Sequence, residues 1–301
     1  MTSSGIANWP APARLTVGIV SAGRVGTALG AALESADHVV GAVVARSDAA
    51  RDRVARRLPE SQILPLDEVA ARSELLIISV PDDQLIAVIA DLAASGAVRR
   101  GTIVAHTAGA HGIGILAPLV ELGVTPLALH PAMTFVDTDD DTTRLRSTCF
   151  GVTAADEIGY AVGSTLVLEM GGEPVRVREE ARTLYHAALA HGANHLVALI
   201  SDSLAALRIA LAGQDFVDEN AAGLPERLLG PLVSAALQNT LELGPRALTG
   251  PVARGDAVAV AGHLAALREA DPELAETYRT MSLRAASYTR APAALIEVLE
   301  R

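Results

Sequence analysis

LTVGIVSAGRVGTALG, Leu15 to Gly30, decides how the rest of this chain is read. Leu15 to Val20 is a short apolar run with the length of a buried strand. A turn of small residues follows, Ser21-Ala22-Gly23-Arg24-Val25-Gly26. An apolar helical pattern then starts at Val25 and continues through Ala28, Leu29, Ala32 and Leu33. Strand, tight turn and helix in this order make the phosphate-binding turn of a dinucleotide fold. The residue types suit that chemistry. Gly23 lets backbone approach a pyrophosphate, Gly26 lets the helix pack on the strand, and the free N–H groups of the helix start attract an anion. Ser21, Ala22, Gly23, Arg24, Val25 and Gly26 are therefore the expected cofactor-binding turn, with Ser21 where the G-x-G-x-x-G pattern has its first glycine.

Bulk properties narrow the classes. The chain has 301 residues, enough for two domains with substantial cores. Residues 1–13 read as a flexible tail without the regions of a secretory signal, so a cytoplasmic protein is expected. No apolar run approaches a membrane span. A net charge of −11 and few aromatics argue against nucleic acid or anionic membrane as partners. Cys149 is the single cysteine, which excludes an intrachain disulfide and a thiolate metal cluster. There is no lysine, so all 24 basic residues are arginine. Arginine stays protonated and is a poor general acid. Proton transfer must then use histidine, a carboxyl, tyrosine, Cys149 or water.

Beyond the turn, His38 to Ala45 reads as a second buried parallel strand ending at Arg46-Ser47. Arg46 lies twenty residues past Gly26, where the adenosine ribose of a dinucleotide is bound. An acidic residue there would select NAD; Arg46 and Ser47 suit a 2′-phosphate, so NADP (NADPH) is the expected cofactor. The plainer alternative makes Arg46 a solvated loop residue and Ser47 the N-cap of the next helix. Leu75 to Val80 is another buried strand, and Ser79, Val80 and Pro81 at its carboxyl end should line the cofactor. Asp82 and Asp83 open the following helix. Strands at Thr102 to Ala105 and Thr125 to Leu129 are each followed by histidine, His106-Thr107 and His130. Two such ends fit a crevice at the carboxyl edge of a parallel sheet. Asp137 to Asp141 reads as a solvated acidic loop, lacking the pattern of a calcium site. Ser147 to Thr153 and Pro174 to Val177 read as strands around a helix at Glu157 to Met170.

From Arg178 the pattern is helical only. Glu179 to Leu211 reads as one long helix, 213–223 as a break, and Pro225 to Leu243 as a second helix with Pro231 inside. A loop is expected from Leu248 to Asp256, then helices from Ala257, Pro272 and Ala293. The fold class is thus an α/β Rossmann-like parallel-sheet domain, 14–177, followed by an all-α domain, 178–301, for substrate and dimerisation. The long apolar helix suggests a homodimer. His191 and His195 are four apart, but the glutamate of a zinc-peptidase helix is missing, so no metal site is expected.

The turn at Ser21, Ser79-Val80-Pro81-Asp82, His106-Thr107-Ala108-Gly109, Leu129-His130-Pro131, Tyr185-His186-Ala187-Ala188 with Asn194, and Leu248-Thr249-Gly250-Pro251 through Asp256 occur in this order. The set resembles the Rossmann-like proteins with a C-terminal domain of unknown function 2520. In layout it is similar to the 6-phosphogluconate dehydrogenase and ketopantoate reductase superfamily. The resemblance implies an NADP-linked oxidoreductase, usually dimeric. The lysine that in that superfamily often precedes a catalytic asparagine by one helical turn is absent; its place before Asn194 is Ala190. The expected catalytic residues are therefore His130, His186 and Asn194. His106, Thr107, Thr249 and Arg254 are expected to bind substrate, Arg254 holding a carboxylate unless it pairs with Asp256. The expected activity is reduction of a small 2-oxo acid of the ketopantoate kind. Reduction of an imine or a deazaflavin coenzyme, and a non-catalytic NADP-binding sensor, are the alternatives.

Overall fold

The computed structural model describes residues 14–212 and 223–301, so the tail at 1–13 and most of the break expected at 213–223 lie outside the described residues. The chain divides into two compact units, one ending at Ala190 and one running from His191 to Arg301.

The first unit is built on an eight-stranded sheet of order β3-β2-β1-β4-β5-β6-β7-β8. Its strands are β1 Thr16–Val20, β2 Val39–Val44, β3 Gln62–Ile63, β4 Leu75–Ile78, β5 Ile103–His106, β6 Thr125–Pro131, β7 Cys149–Ala154 and β8 Glu173–Arg176. β1 to β6 are mutually parallel where they pair, β7 runs antiparallel to β6, and β8 is parallel to β7. The connecting helices are α1 Arg24–Ser35, α2 Asp48–Arg57, α3 Leu66–Arg72, α4 Asp82–Ser95, α5 Ala117–Val120, α6 Asp140–Leu145 and α7 Glu157–Glu169. The near-continuous apolar runs of β1, β2 and β4 follow from burial on both faces. Alternate residues serve opposite layers. Val17, Ile19, Leu75 and Ile77 pack with Leu29 and Leu33 of α1. Val20, Leu76 and Ile78 pack with Leu85, Ile89 and Leu92 of α4. The carboxyl ends of β1, β2, β4, β5 and β6 share one edge, and the strand order reverses between β1 and β4, the place where such sheets bind ligands.

The acidic loop departs from expectation. Asp141 is fully buried and accepts the backbone N–H groups of Asp137 at 2.8 Å and Val136 at 3.3 Å. Asp137 accepts from Arg53 of α2 at 2.8 Å and lies 3.3 Å from Arg56. Arg53, Arg56 and Arg57 of α2 thus have their partners some eighty positions along the chain, which no local pattern shows.

α8, Arg182–Ala210, runs from the first unit into the second and follows a 3₁₀ turn at Glu179–Ala181. The second unit continues with α9 Leu224–Leu243, α10 Gly250–Arg254, α11 Ala257–Ala270, α12 Pro272–Ala286 and α13 Ala293–Glu300. The expected loop at Leu248 to Asp256 therefore contains a short helix, begun by Gly250-Pro251 because proline fits the first helical turn. Asp256 caps α11 through Ala259 N–H at 3.0 Å, and Asp271 caps α12. Val260, Leu264, Ala286, Leu295 and Leu299 form a small core among α11, α12 and α13. Among the described residues no helix is long and apolar enough to cross a membrane.

Candidate functional site

The β1–α1 turn is shaped by one residue in an uncommon conformation. Ser21 has φ of 79°, the left-handed region that favours glycine, which explains why glycine is usual at its place. The strain is held by neighbours: Ser79 Oγ donates to the Ser21 carbonyl at 2.9 Å, and Ala22 N–H donates to Val44 at 2.9 Å. Gly26 lets α1 close on this turn. A Cβ there would stand 2.4 Å from the Ser21 carbonyl oxygen and 2.4 Å from Ser79 Oγ. α1 begins after Gly23 with no side-chain cap, so the N–H groups of its first turn are left for another acceptor.

A cavity of about 390 Å³ opens beside this turn, and Ser21, Ala22, Arg46, Ser47, Val80 and Pro81 line it together with Gln84 of α4. Six of the expected cofactor residues thus meet around one space. The others act differently. Gly26 is buried against the turn, Val25 packs into the core, and Ser79 points into the turn it braces. Arg24 is exposed and reaches only the Phe135 carbonyl, at 3.4 Å. Ser47 accepts from Ala50 N–H at 3.2 Å, so it caps α2 while lining the cavity. Arg46 is exposed and makes no ion pair among the described residues. Glycine backbone, an uncapped helix start and an unpaired guanidinium above an apolar floor fit a phosphate-bearing dinucleotide.

Along the same sheet edge stands a second group. His130 Nδ1 lies 3.0 Å from the Tyr185 hydroxyl, and the rings of His130 and His186 meet edge to face at 5.7 Å. Gly109, in the loop after β5, fits against both. A Cβ there would come within 2.5 Å of His186 Cδ2 and 2.9 Å of His130 Nε2. Behind them Arg182 is buried, donating from Nε to Thr153 Oγ1 at 2.8 Å and from Nη2 to the carbonyls of Ala128 at 2.8 Å and Gly151 at 2.9 Å. No carboxylate lies within ion-pair distance of it among the described residues, and its Nη1 has no partner. Burial lowers the Arg182 pKa to about 10, which leaves it charged at neutral pH.

Burial acts on two of the histidines as well. Burial, reinforced by His186 and Arg182, lowers the His130 pKa to about 4. His106 is likewise lowered to about 4, first by burial. Both rings are neutral near pH 7. Burial raises the pKa of Tyr185, so its hydroxyl keeps its proton. His106 has no exposed surface, and its Nε2 lies 2.8 Å from the Gly112 carbonyl. It braces the 107–112 loop. Glu179 holds the far side of that loop, accepting from Ile113 and Gly114 N–H at 2.8 and 2.9 Å.

Thr107 is half-buried in the loop, with its N–H on the Ile78 carbonyl at 3.1 Å. Asn194 is exposed on α8, two turns past His186. Thr249 precedes α10, and Arg254 ends it, exposed. Arg254 forms no ion pair with Asp256, whose carboxylate caps α11. His191 and His195 are exposed, with Nδ1 atoms 2.6 Å apart. Sequence reasoning missed Tyr185 and Arg182 as members of the histidine group. Their one signal was helical spacing, since residues 182, 185 and 186 face one side of α8.

Fold and crevice define a dinucleotide-fold protein with a helical C-terminal unit. Residues 1–131 match the Rossmann-like domain and residues 148–285 match the domain of unknown function 2520. The chain belongs to the family that joins these two domains. No match is found among curated protein sequences. Among solved structures, the chain is similar to a Bacteroides fragilis protein described as an NADP oxidoreductase. The TM-score is 0.72 and the identity 20%, over 91% of this chain and 98% of that one. It is also similar to the reductive aminase of Aspergillus terreus in complex with NADPH and ethyl-5-oxohexanoate (TM-score 0.64, 18% identity, 95% and 99% covered). The Plasmodium falciparum pyrroline carboxylate reductase with NADP bound has a TM-score of 0.56 at 12% identity, with 95% and 97% covered. At these identities the likeness is one of fold.

Proposed function

We propose that this protein is an NADPH-dependent reductase of a small 2-oxo acid. The observation that carries the reading is the His130–Tyr185–His186 group, set on the same sheet edge as the cavity around Ser21 and Arg46. In this reading the α1 N-terminus and Ser21-Ala22-Gly23 hold the pyrophosphate, and Arg46 with Ser47 holds the 2′-phosphate. NADPH, when bound, supplies the hydride. His130 and His186 present ring N–H groups to the substrate oxygen, and Gly109 keeps the Nε2 edge of His130 clear. The buried, carboxylate-free Arg182 makes this surrounding positive, which favours an oxyanion over a cationic centre. Asn194 and Thr249 are proposed to orient substrate, and Arg254 to hold its carboxylate. The unit boundary for function is proposed at 177–178, with the helical part serving substrate binding and homodimerisation.

A second reading, reduction of an imine, is favoured by the reductive aminase and pyrroline carboxylate reductase among the similar folds. The electrostatics oppose it, because an iminium is a cation. NADPH oxidation at 340 nm across a panel of 2-oxo acids and cyclic imines separates the two. Turnover of an oxo acid supports the first reading, and turnover of imines alone the second. Tight NADPH binding with no turnover on either set would make the chain a sensor.

A further inference from the structure

Three features of the histidine group remain unexplained by hydride transfer alone. Tyr185 is half-buried and directs its hydroxyl at His130 Nδ1, 3.0 Å away, with ring planes at 88°. Arg182 is a buried cation with no carboxylate in ion-pair distance among the described residues, Glu179 acting on it only from further off, and its guanidinium carbon lies 5.8 Å from the Tyr185 ring. His130 Nε2 makes no hydrogen bond among the described residues, and a Cβ on Gly109 would stand 2.9 Å from it. Resting on the reductase reading, we infer that Tyr185, His130 and Arg182 form a proton relay, in which Tyr185 sets the His130 tautomer and refills its proton.

Tyr185 O–H donates to His130 Nδ1, which places the ring proton on Nε2. As hydride adds to the carbonyl carbon, the C=O π pair moves to oxygen, and that oxygen takes the Nε2 proton. His130 Nδ1 then takes the Tyr185 proton, so the ring changes tautomer and stays neutral throughout. The charge ends on the Tyr185 oxygen, a tyrosinate beside the Arg182 guanidinium; after product leaves, solvent protonates His130 Nε2 as Nδ1 returns its proton to Tyr185, which restores the starting tautomer. One proton leaves the relay and one enters it per turnover. The remaining charged or titratable groups around His130 are consistent with this direction. His186 and His106 are the other neighbours, and both sit on the same side of the charge balance as Arg182, disfavouring an imidazolium. A neutral His130 cannot act as a cationic acid, so its Nε2 proton needs a replacement at Nδ1. Tyr185 is then a positioning residue that acts through His130.

The test uses the full chain, ¹⁵N-labelled and without added cofactor, with long-range ¹H–¹⁵N correlation to read the His130 tautomer. Wild type is expected to show the Nε2–H tautomer. Tyr185→Phe keeps the ring and removes the donor. It is expected to shift His130 toward a mixture of tautomers and to lower kcat about a hundredfold, with KM for NADPH unchanged. An Nδ1–H tautomer in wild type overturns the relay. So does a Tyr185→Phe variant with an unchanged tautomer or an unchanged kcat. A wild-type chain that reduces no carbonyl compound, yet shows the Nε2–H tautomer and its loss in Tyr185→Phe, fails the reductase reading while Tyr185 still sets the His130 tautomer. A chain that reduces an oxo acid, with the tautomer unchanged in Tyr185→Phe, fails the relay alone.

Discussion

Ser21 and Gly26 face each other across the first turn and respond to substitution in opposite directions. Ser21 holds φ at 79°, which costs a residue with a Cβ about 1 kcal/mol. Its own carbonyl and backbone make the turn's hydrogen bonds, so the hydroxyl is not needed for them. Ser21→Gly is therefore expected to raise stability by about 1 kcal/mol and to leave NADPH affinity within about twofold. Gly26→Ala is expected to do the reverse. Its Cβ would meet the Ser21 carbonyl oxygen at 2.4 Å, forcing α1 away from the turn. Thermal melts with NADPH fluorescence titration check both. A loss of affinity in Ser21→Gly would show that its hydroxyl itself binds the cofactor. The sequence exposed the missing glycine but not its backbone angle. The conformation depends on Ser79 and Val44, which reach the turn from neighbouring strands.

At the scale of elements, the proposed cofactor choice lies at the junction between β2 and α2. Ser47 caps α2 and also lines the cavity. Arg46 has no ion-pair partner among the described residues and is open to a phosphate. Removing a charged hydrogen bond of this type costs about 1.5–3 kcal/mol. Arg46→Ala should then raise the Kd of NADPH at least about tenfold and leave that of NADH nearly unchanged, measured by titration with each. Equal loss for both would remove the 2′-phosphate assignment. The strands were legible because burial on both faces writes an uninterrupted apolar run, as at Leu75 to Ile78. The glycine turn and both histidine-bearing strand ends were legible for the same reason: local chemistry marks them. Asp137, Asp141 and Tyr185 were not, because their partners come from distant segments. The contact of His106 with the Gly112 carbonyl was not legible for a related reason: a histidine at a strand end looks the same in sequence whatever its ring meets.

Over the whole molecule, acid stability and assembly follow from what is buried and what is not. His106 is fully buried and neutral, its pKa lowered from 6.5 to about 4. Between these values the unfolded chain binds more protons, so stability falls as pH falls through that window and is retained above 6.5. A shift of this size in a buried ring corresponds to about 3 kcal/mol. Urea unfolding at a series of pH values should show the loss beginning above pH 5, before most carboxylates titrate, and His106→Gln should reduce it, with His130 supplying a further part of the same loss. A flat profile in wild type between pH 6.5 and 4 would contradict a neutral buried His106. The proposed dimer is argued from α9. None of its residues is buried, yet Leu232 is 67% exposed and Leu241 76% exposed. Leu228 and Leu232 line an apolar cavity of about 730 Å³ in the helical unit, while Leu237 and Leu241 fall on the opposite side of the helix. A helix apolar on opposite sides belongs in an interior. A second copy supplies the interior if the two long helices of each chain pack on those of the other. The wild-type chain should elute in size exclusion with light scattering at twice the chain mass. Leu237→Glu with Leu241→Glu should give the single-chain mass and a lower melting temperature, because two carboxylates would be desolvated in the interface. Wild type at the single-chain mass, with α9 fully protected from hydrogen exchange, would mean that the monomer buries this helix by itself and that no second copy is needed.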